Sequence, residues 1–371
     1  MSVSSRSYPA LVALLLTGPM TGIAQQPAAQ QAPAQQALAQ QAGRAADSSV
    51  LHTRSGPPTR TIQLDVVVTS TPGQPVTGLE QKDFTLLDDK TPREITSFEA
   101  VDERKQPVQA ILVIDAVNTG YTEISQERNE IDKFLKANGG KLTLPISLAI
   151  FGNKGIEMQG GYSRDGNALA NALANYTISL REIGQSAGVQ GAEERLNDSL
   201  KAIRLLASYE SGRPGRKIIL WVSPGWPLLS GPGTSLTEKE RTQIFNEITF
   251  LTASLREAQT SVYAINPLGV GESVAQAFYY EQFTSPARKP SDVNVGNLGL
   301  QVFATETGGL VLNSTNVSGL LQQSVADNVA YYRLSFEPPP TEKRDVYHSL
   351  KVSVAKPGLT VATSTGYYAE P

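Results

Sequence analysis

Five consecutive aliphatic residues, Ala110-Ile111-Leu112-Val113-Ile114, end on an acid, Asp115. No other stretch constrains the fold as much. The run is too short for a buried helix and reads as a strand covered on both faces. In an open parallel sheet, ligands bind at the carboxyl ends of strands, which is where Asp115, Asn118 and Thr119 would stand. Two readings remain open for these residues. They form a metal or ligand site, or they make a turn in which Asp115 and Asn118 cap the next helix or shape the loop.

Around this strand the chain alternates strand and helix. Helical spacing runs from Ile124 to Ala137, with Ile131, Phe134 and Leu135 on one stripe and Gly139-Gly140 as the stop. Strands are expected at 146–151 and 218–222, with a short edge at 156–159 and another strand at 261–266. Helices are expected at 168–176, 191–209, 238–258, 298–307 and 317–329. Strands alternating with helices specify a parallel sheet covered on both sides.

The two ends read differently. Ile62, Leu64, Val66 and Val68 alternate with Gln63, Asp65 and Val67, the pattern of a half-buried strand. Turns and short strands follow as far as about Glu103. The same rhythm returns in Tyr331–Phe336, Ser349–Val354, Leu359–Ala362 and Tyr367-Tyr368. The expected architecture is an α/β, doubly wound, mostly parallel sheet inserted in a small β-sandwich built from both ends. The β segments are residues 58–106 and 331–371, and the α/β part is 107–330.

The first residues carry an export signature. Arg6 precedes the apolar run Ala10–Leu16, and Gly22-x-Ala24 is spaced for cleavage before Gln25. Residues 1–24 are therefore read as a signal peptide and 25–57, rich in Gln, Ala and Pro, as a solvated linker. A secreted or periplasmic protein is expected, with no transmembrane segment in the mature chain. There is no cysteine, so disulfides do not hold the fold and its core must suffice. The net charge of -3 and the lack of a basic run exclude nucleic acid as a partner.

Three groups of residues, in this order, carry a resemblance. They are Leu64-Asp65-Val66-Val67-Val68 with Pro75-Val76-Thr77-Gly78-Leu79 and Asp83-Phe84; the strand ending in Asp115 with Asn118-Thr119; and Tyr332-Arg333-Leu334 with Pro357-Gly358-Leu359 and Gly366-Tyr367-Tyr368. Residues 108–329 resemble a von Willebrand factor type A domain, and the mature chain as a whole is similar to the secreted VWFA-related proteins typical of acidobacteria. The resemblance implies a Mg²⁺ site made by an Asp-x-Ser-x-Ser motif after the first strand, a later-loop Thr, and an Asp after the fourth strand. Asp115 matches the first position and Thr119 the last Ser, with its hydroxyl retained. Val117 replaces the middle Ser, and Pro224 stands where the fourth-strand Asp belongs. The loop from Ile183 to Gly191 has no threonine, Ser186 being its nearest hydroxyl. The site is degenerate, with Asp115 and Thr119 its remaining metal candidates. No cofactor is expected, Mg²⁺ being the one ion that the resemblance would bring. On this reading Asp115 turns toward the N–H groups of its own loop or toward Thr119, and Asp115→Ala costs ~1 kcal/mol, a capping residue's worth.

Catalytic chemistry is poorly supplied. The two histidines are His52, in the linker, and His348, near a β turn, which disfavours a His-assisted nucleophile. Ser223-Pro224-Gly225 lacks the lysine and spacing of a phosphate loop. The expected function is an exported, non-enzymatic protein-binding or adhesion module. Its protein ligand would dock around Asp115, Asn118, Thr119, Ser186, Ser223 and Trp226; two readings stay open for Trp226, between Gly225 and Pro227, an exposed anchor or a ring packed under the following loop. The alternative is a structural or assembly component of the cell envelope that makes its contacts through the β-sandwich.

Overall fold

The structure is a computed structural model and describes residues 61–102, 108–176, 188–227, 236–269, 285–340 and 343–369. The expected signal peptide and linker, Ser186 and residues 270–284 lie outside these residues.

The central sheet has six strands. They are β6 (Gln109–Asp115), β7 (Lys141–Gly152), β8 (Gly155–Asp165), β9 (Lys217–Val222), β10 (Thr260–Asn266) and β11 (Val311–Asn313), in the spatial order β11-β10-β9-β6-β7-β8. All neighbours are parallel except β7 and β8, which form an antiparallel hairpin at one edge. That hairpin is longer than the pattern 146–151 and 156–159 predicts. The expected strand begins at Ile146, just after Pro145, which donates no ladder hydrogen bond. The chain continues the strand through it as irregular pairing, with the register shifting between Lys141 and Ile146 and again before Leu148.

Helices cover both faces. Alternate residues of the central strands divide between two cores. One core joins Ile111, Val113, Phe151 and Trp221 to α3 (Gly188–Ser211), α4 (Glu238–Glu257) and α5 (Leu300–Glu306). The other joins Ala110, Leu112, Ile114, Ile150 and Leu220 to α1 (Tyr121–Lys136), α2 (Gly166–Asn175) and α6 (Val317–Asp327). This two-sided burial is what the unbroken aliphatic run of β6 demanded. Gly308 takes a φ of 78° between α5 and β11, and any Cβ on Gly309 would fall 1.8 Å from the Val262 carbonyl oxygen. Glycine is needed at both positions.

The segments on either side pair with one another. β1 (Ile62–Thr71) lies antiparallel to β12 (Ala330–Phe336), which in turn pairs with β5 (Ser97–Asp102), and β14 (Thr360–Ala362) and the short β2 (Gln74–Pro75) add to β1. A second sheet runs β15-β13-β3-β4, with β3 (Phe84–Asp88), β4 (Thr91–Arg93), β13 (Tyr347–Val354) and β15 (Gly366–Tyr368). Leu64, Val66, Leu334 and Phe336 of the first sheet share a core with Phe84, Leu86, Val352 and Tyr367 of the second. The opposite face of the first sheet sends Val67, Val101 and Tyr331 into the core of the α/β part, so β12 is covered on both sides. No helix among the described residues is long and apolar enough to cross a membrane.

The last strand is tied to the α/β part through a buried acid. Glu306, at the end of α5, accepts a hydrogen bond from Thr252 Oγ1 at 2.6 Å and a longer one from Tyr368 OH at 3.4 Å. Burial pushes its carboxyl up from 4.5 to about 7, against the pull of those two donors. The consequence for stability has a definite sign. Below pH 4.5 folded and unfolded chains both hold the proton. Between 4.5 and 7 only the folded chain does, so this contribution declines as pH rises and is lost above about 7. Over that window Glu306→Gln is expected to abolish a loss of up to about 3 kcal/mol. Urea titrations of both proteins at pH 5 and pH 8 measure it, and equal pH dependence in the two would exclude Glu306 as its source.

Candidate functional site

β6 delivers Asp115 to the carboxyl edge of the sheet, and there the chain turns. Asp115 Oδ1 accepts from the backbone N–H of Val117 at 3.1 Å and of Asn118 at 2.9 Å. Its Oδ2 accepts from Asn118 Nδ2 at 2.9 Å and from the Trp221 indole Nε1 at 3.0 Å. The carboxylate is fully buried. Four donors on two oxygens occupy essentially all of its acceptor capacity. Burial pushes the carboxyl above its ordinary range, against the Asn118, Trp221 and Ser223 hydrogen bonds that hold it down.

Of the two readings left open by the sequence, helix capping is not what Asp115 and Asn118 do. The N-cap of α1 is Gly120, which makes no side-chain cap bond. Asp115 instead fixes the turn by bonding the amides two and three residues ahead. Asn118 carries the turn across to α3, where its Nδ2 also donates to Ser199 Oγ at 3.0 Å, and Ser199 donates to Arg195 O. Ser223 is buried at the end of β9 and accepts from Gly225 N at 3.1 Å. The structure thus brings Asp115, Asn118, Thr119 and Ser223 together at one end of the sheet.

For Trp226 the structure decides between the two readings in favour of packing and against an exposed anchor. Trp226 is 2% exposed and packs edge-on against Trp221, ring centroids 5.3 Å apart, and against Phe303 at 6.0 Å. Gly225, at φ 109°, reverses the chain in a conformation that L side chains rarely take. Trp226 therefore belongs to the core beneath the rim and offers no exposed anchor. Trp221, within β9, is fully buried. It is core, and its indole N–H also donates to Asp115 across 106 residues.

Glu127 is a residue that the sequence reading missed. It sits on α1, is 1% exposed, and neither carboxyl oxygen makes a hydrogen bond. The Thr119 hydroxyl stands beside it without forming a well-aligned bond. Burial, reinforced by the nearby charge of Asp115, pushes Glu127 well above the usual carboxylate range, so its neutral form is favoured. The signal was present in the sequence. Glu127 falls three residues after Ile124 and four before Ile131, on the apolar stripe of α1. A notch of about 10 Å³ beside Glu127, lined also by Glu123, Glu130, Pro267 and Thr315, has room for no more than a single water.

These residues do not fit a Mg²⁺ held through Asp115. The ion requires about six oxygens in near-octahedral geometry. Both Asp115 oxygens are engaged by donors, Val117 packs into the hydrophobic core, and Pro224 presents no ligand.

No protein-family model matches the chain, and no curated protein sequence matches it. Several solved structures are similar in fold. Manganese-loaded TRAP protein of Plasmodium vivax is 12% identical with a TM-score of 0.33, over 72% of this chain and 96% of that one. The SpRpn10 VWA domain is 11% identical with a TM-score of 0.29, over 59% of this chain and 96% of that one. Proximal thread matrix protein 1 of the mussel byssus is 12% identical with a TM-score of 0.29; the match covers 62% of this chain and 49% of that one, so the chain spans about half its length. At such identities and scores these likenesses say nothing of sites or ligands.

Proposed function

We propose that this chain is an exported, non-enzymatic protein-interaction module. It is built as a von Willebrand type A-like α/β domain inserted in a β-sandwich made from residues 58–106 and 331–371, and it acts without a metal at the sheet's carboxyl edge. The observation that carries the reading is the closure of Asp115 by Val117, Asn118 and Trp221. A carboxylate spent on its own loop and on the sheet beneath it is a structural brace for the rim, and the rim is left to bind by shape and hydrogen bonding. Export rests on Arg6, the Ala10–Leu16 run and Gly22-x-Ala24.

A second reading has its own observation. A groove of about 440 Å³, lined by Lys82, Phe84, Leu86, Pro92, Arg93 and Ile95, lies on the β-sheet part and would serve an envelope component that makes its contacts there. Site-specific photo-crosslinking in native envelope extract separates the two. A crosslinker at Ser186, which the sequence reading assigns to the rim, is expected to capture one defined protein, equally with and without EDTA. Capture only from Lys82 would transfer the function to the β-sheet part, and capture from Ser186 that EDTA abolishes would restore a metal-dependent mode. In calorimetry, Mg²⁺ up to about millimolar concentrations is expected to give no binding heat that depends on Asp115.

A further inference from the structure

We propose that Asp88, Asp89 and His348 form a binding site for a first-row divalent metal ion of the zinc class, joining the β3–β4 turn to β13. Among the described residues, this is the one group of three His, Cys or acidic side chains whose donor atoms all lie within 4.8 Å of one another. It is remote in sequence from the Asp115 rim and does not depend on how that rim functions.

The site is assembled by strand pairing. β3 ends on Asp88, and Asp89 and Lys90 make a two-residue turn into β4 with φ of 47° and 68°. β13 lies antiparallel beside β3, with Leu350 opposite Asp88. His348 in β13 therefore faces the turn, its Nδ1 3.0 Å from Asp88 Oδ1 and 3.2 Å from Asp89 Oδ2. Donors bound to one ion at bonds of 2.0–2.1 Å and tetrahedral angles are separated by roughly 3.3 Å. The two distances from His348 already match that spacing, and the two carboxylate oxygens lie within 4.8 Å of each other.

Each carboxylate is held from behind by groups outside the triad. Asp88 Oδ2 accepts from Tyr367 OH at 3.3 Å and pairs with Arg93 Nε at 3.3 Å, which leaves Oδ1 for the site. Asp89 Oδ1 accepts from Ser349 N at 3.0 Å and Ser349 Oγ at 2.9 Å, which leaves Oδ2. The His348 ring is stacked on Tyr367, 4.9 Å between centroids and 14° between planes. Outer partners that fix the orientation of ligating carboxylates and imidazole are how metal sites are pre-organised. Asp88 is fully buried, His348 is 13% exposed and Asp89 is 53% exposed. An ion would enter from the Asp89 side, and water would complete a fourth position.

The chemistry selects the ion. Arg93 on Asp88, and Arg288 acting more weakly on Asp89, oppose a cation bound by charge alone. Mg²⁺ and Ca²⁺ depend on that charge and on many oxygens. One imidazole with two carboxylates suits zinc and its neighbours, which gain from the nitrogen ligand.

The test uses the full chain without a histidine tag, stripped with chelator and titrated with Zn²⁺ by calorimetry and with Co²⁺ by visible absorption. One ion per chain is expected, with the intense d–d bands of a four-coordinate Co²⁺ and a rise in melting temperature of about 5 °C at saturating Zn²⁺. Asp89→Asn tolerates the positive φ and retains the acceptor for Ser349. It and His348→Gln should each weaken binding at least about tenfold, while Asp89→Asn leaves the metal-free melting temperature unchanged. No stoichiometric binding by the wild-type chain, or equal binding by wild type and Asp89→Asn, would overturn the proposal.

Discussion

Asp115→Ala is expected to destabilise the fold by about 4 kcal/mol, well above the ~1 kcal/mol of a capping residue. The sequence reading valued Asp115 as a local turn residue. In the structure its removal strands the indole N–H of Trp221, itself fully buried, together with the amides of Val117 and Asn118 and one donor of the Asn118 side chain. Each buried donor left without a partner costs roughly 1–3 kcal/mol. The loop can relax to satisfy some of them, but Trp221 is held by Phe151 and Trp226, with centroids at 5.8 and 5.3 Å. Asp115→Asn keeps one acceptor oxygen and places an amide where the second oxygen stood, so an intermediate loss is expected. Urea denaturation monitored by tryptophan fluorescence reads both. A loss near 1 kcal/mol for alanine would mean that Trp221 finds a new partner and that the brace is local after all. Protection of the wild type by Mg²⁺ that the variant loses would overturn the metal-free reading of the rim.

Asp65→Ala is expected to cost about 3–5 kcal/mol, through the junction between the end strands and the α/β part. Asp65 on β1 stands directly opposite Arg333 on β12, with Arg333 Nε 3.1 Å from its Oδ1. Arg216, just before β9, approaches its Oδ2 at 3.8 Å and is 1% exposed. Arg216 also donates to Asn328 Oδ1 and lies over the Tyr331 ring, 5.4 Å from its centroid. Removal of the carboxylate leaves a buried guanidinium with neutral partners only. Such a charge is far more costly than a lost surface pair. Arg333→Ala leaves Asp65 and Arg216 to neutralise each other and should cost clearly less. Equal losses for the two variants would show that the pair acts as a surface bridge.

What the sequence carried was periodicity. A run of aliphatic residues with no polar break requires burial on both faces wherever it is placed, so β6 and its neighbours were legible. Alternation in Ile62–Val68 and the apolar stripe of α1 were legible for the same reason. Apolar spacing reports which face is covered, and it does so locally. The strand β8 is longer than its apolar pattern predicts, because the alternation of buried apolar residues ends at Met158 and none of the residues from Gly160 to Asp165 is fully buried. They extend the strand through irregular pairing with β7 and through Tyr162, which packs against the core and donates to Glu210, and a single aromatic leaves no periodic mark.

The chemistry at the ends of the strands was decided by the tertiary structure. Trp221 reaches Asp115 across 106 residues, Arg216 reaches Asp65 from another sheet, and His348 meets Asp88 across 260. Trp226 looked exposed because glycine and proline flank it, and it is buried because the core beside Phe303 had room for a ring there. Local sequence sets the cost of exposing a side chain. Which acceptor meets a donor depends on strand order and register, quantities that belong to the assembled sheet and to no single segment of it.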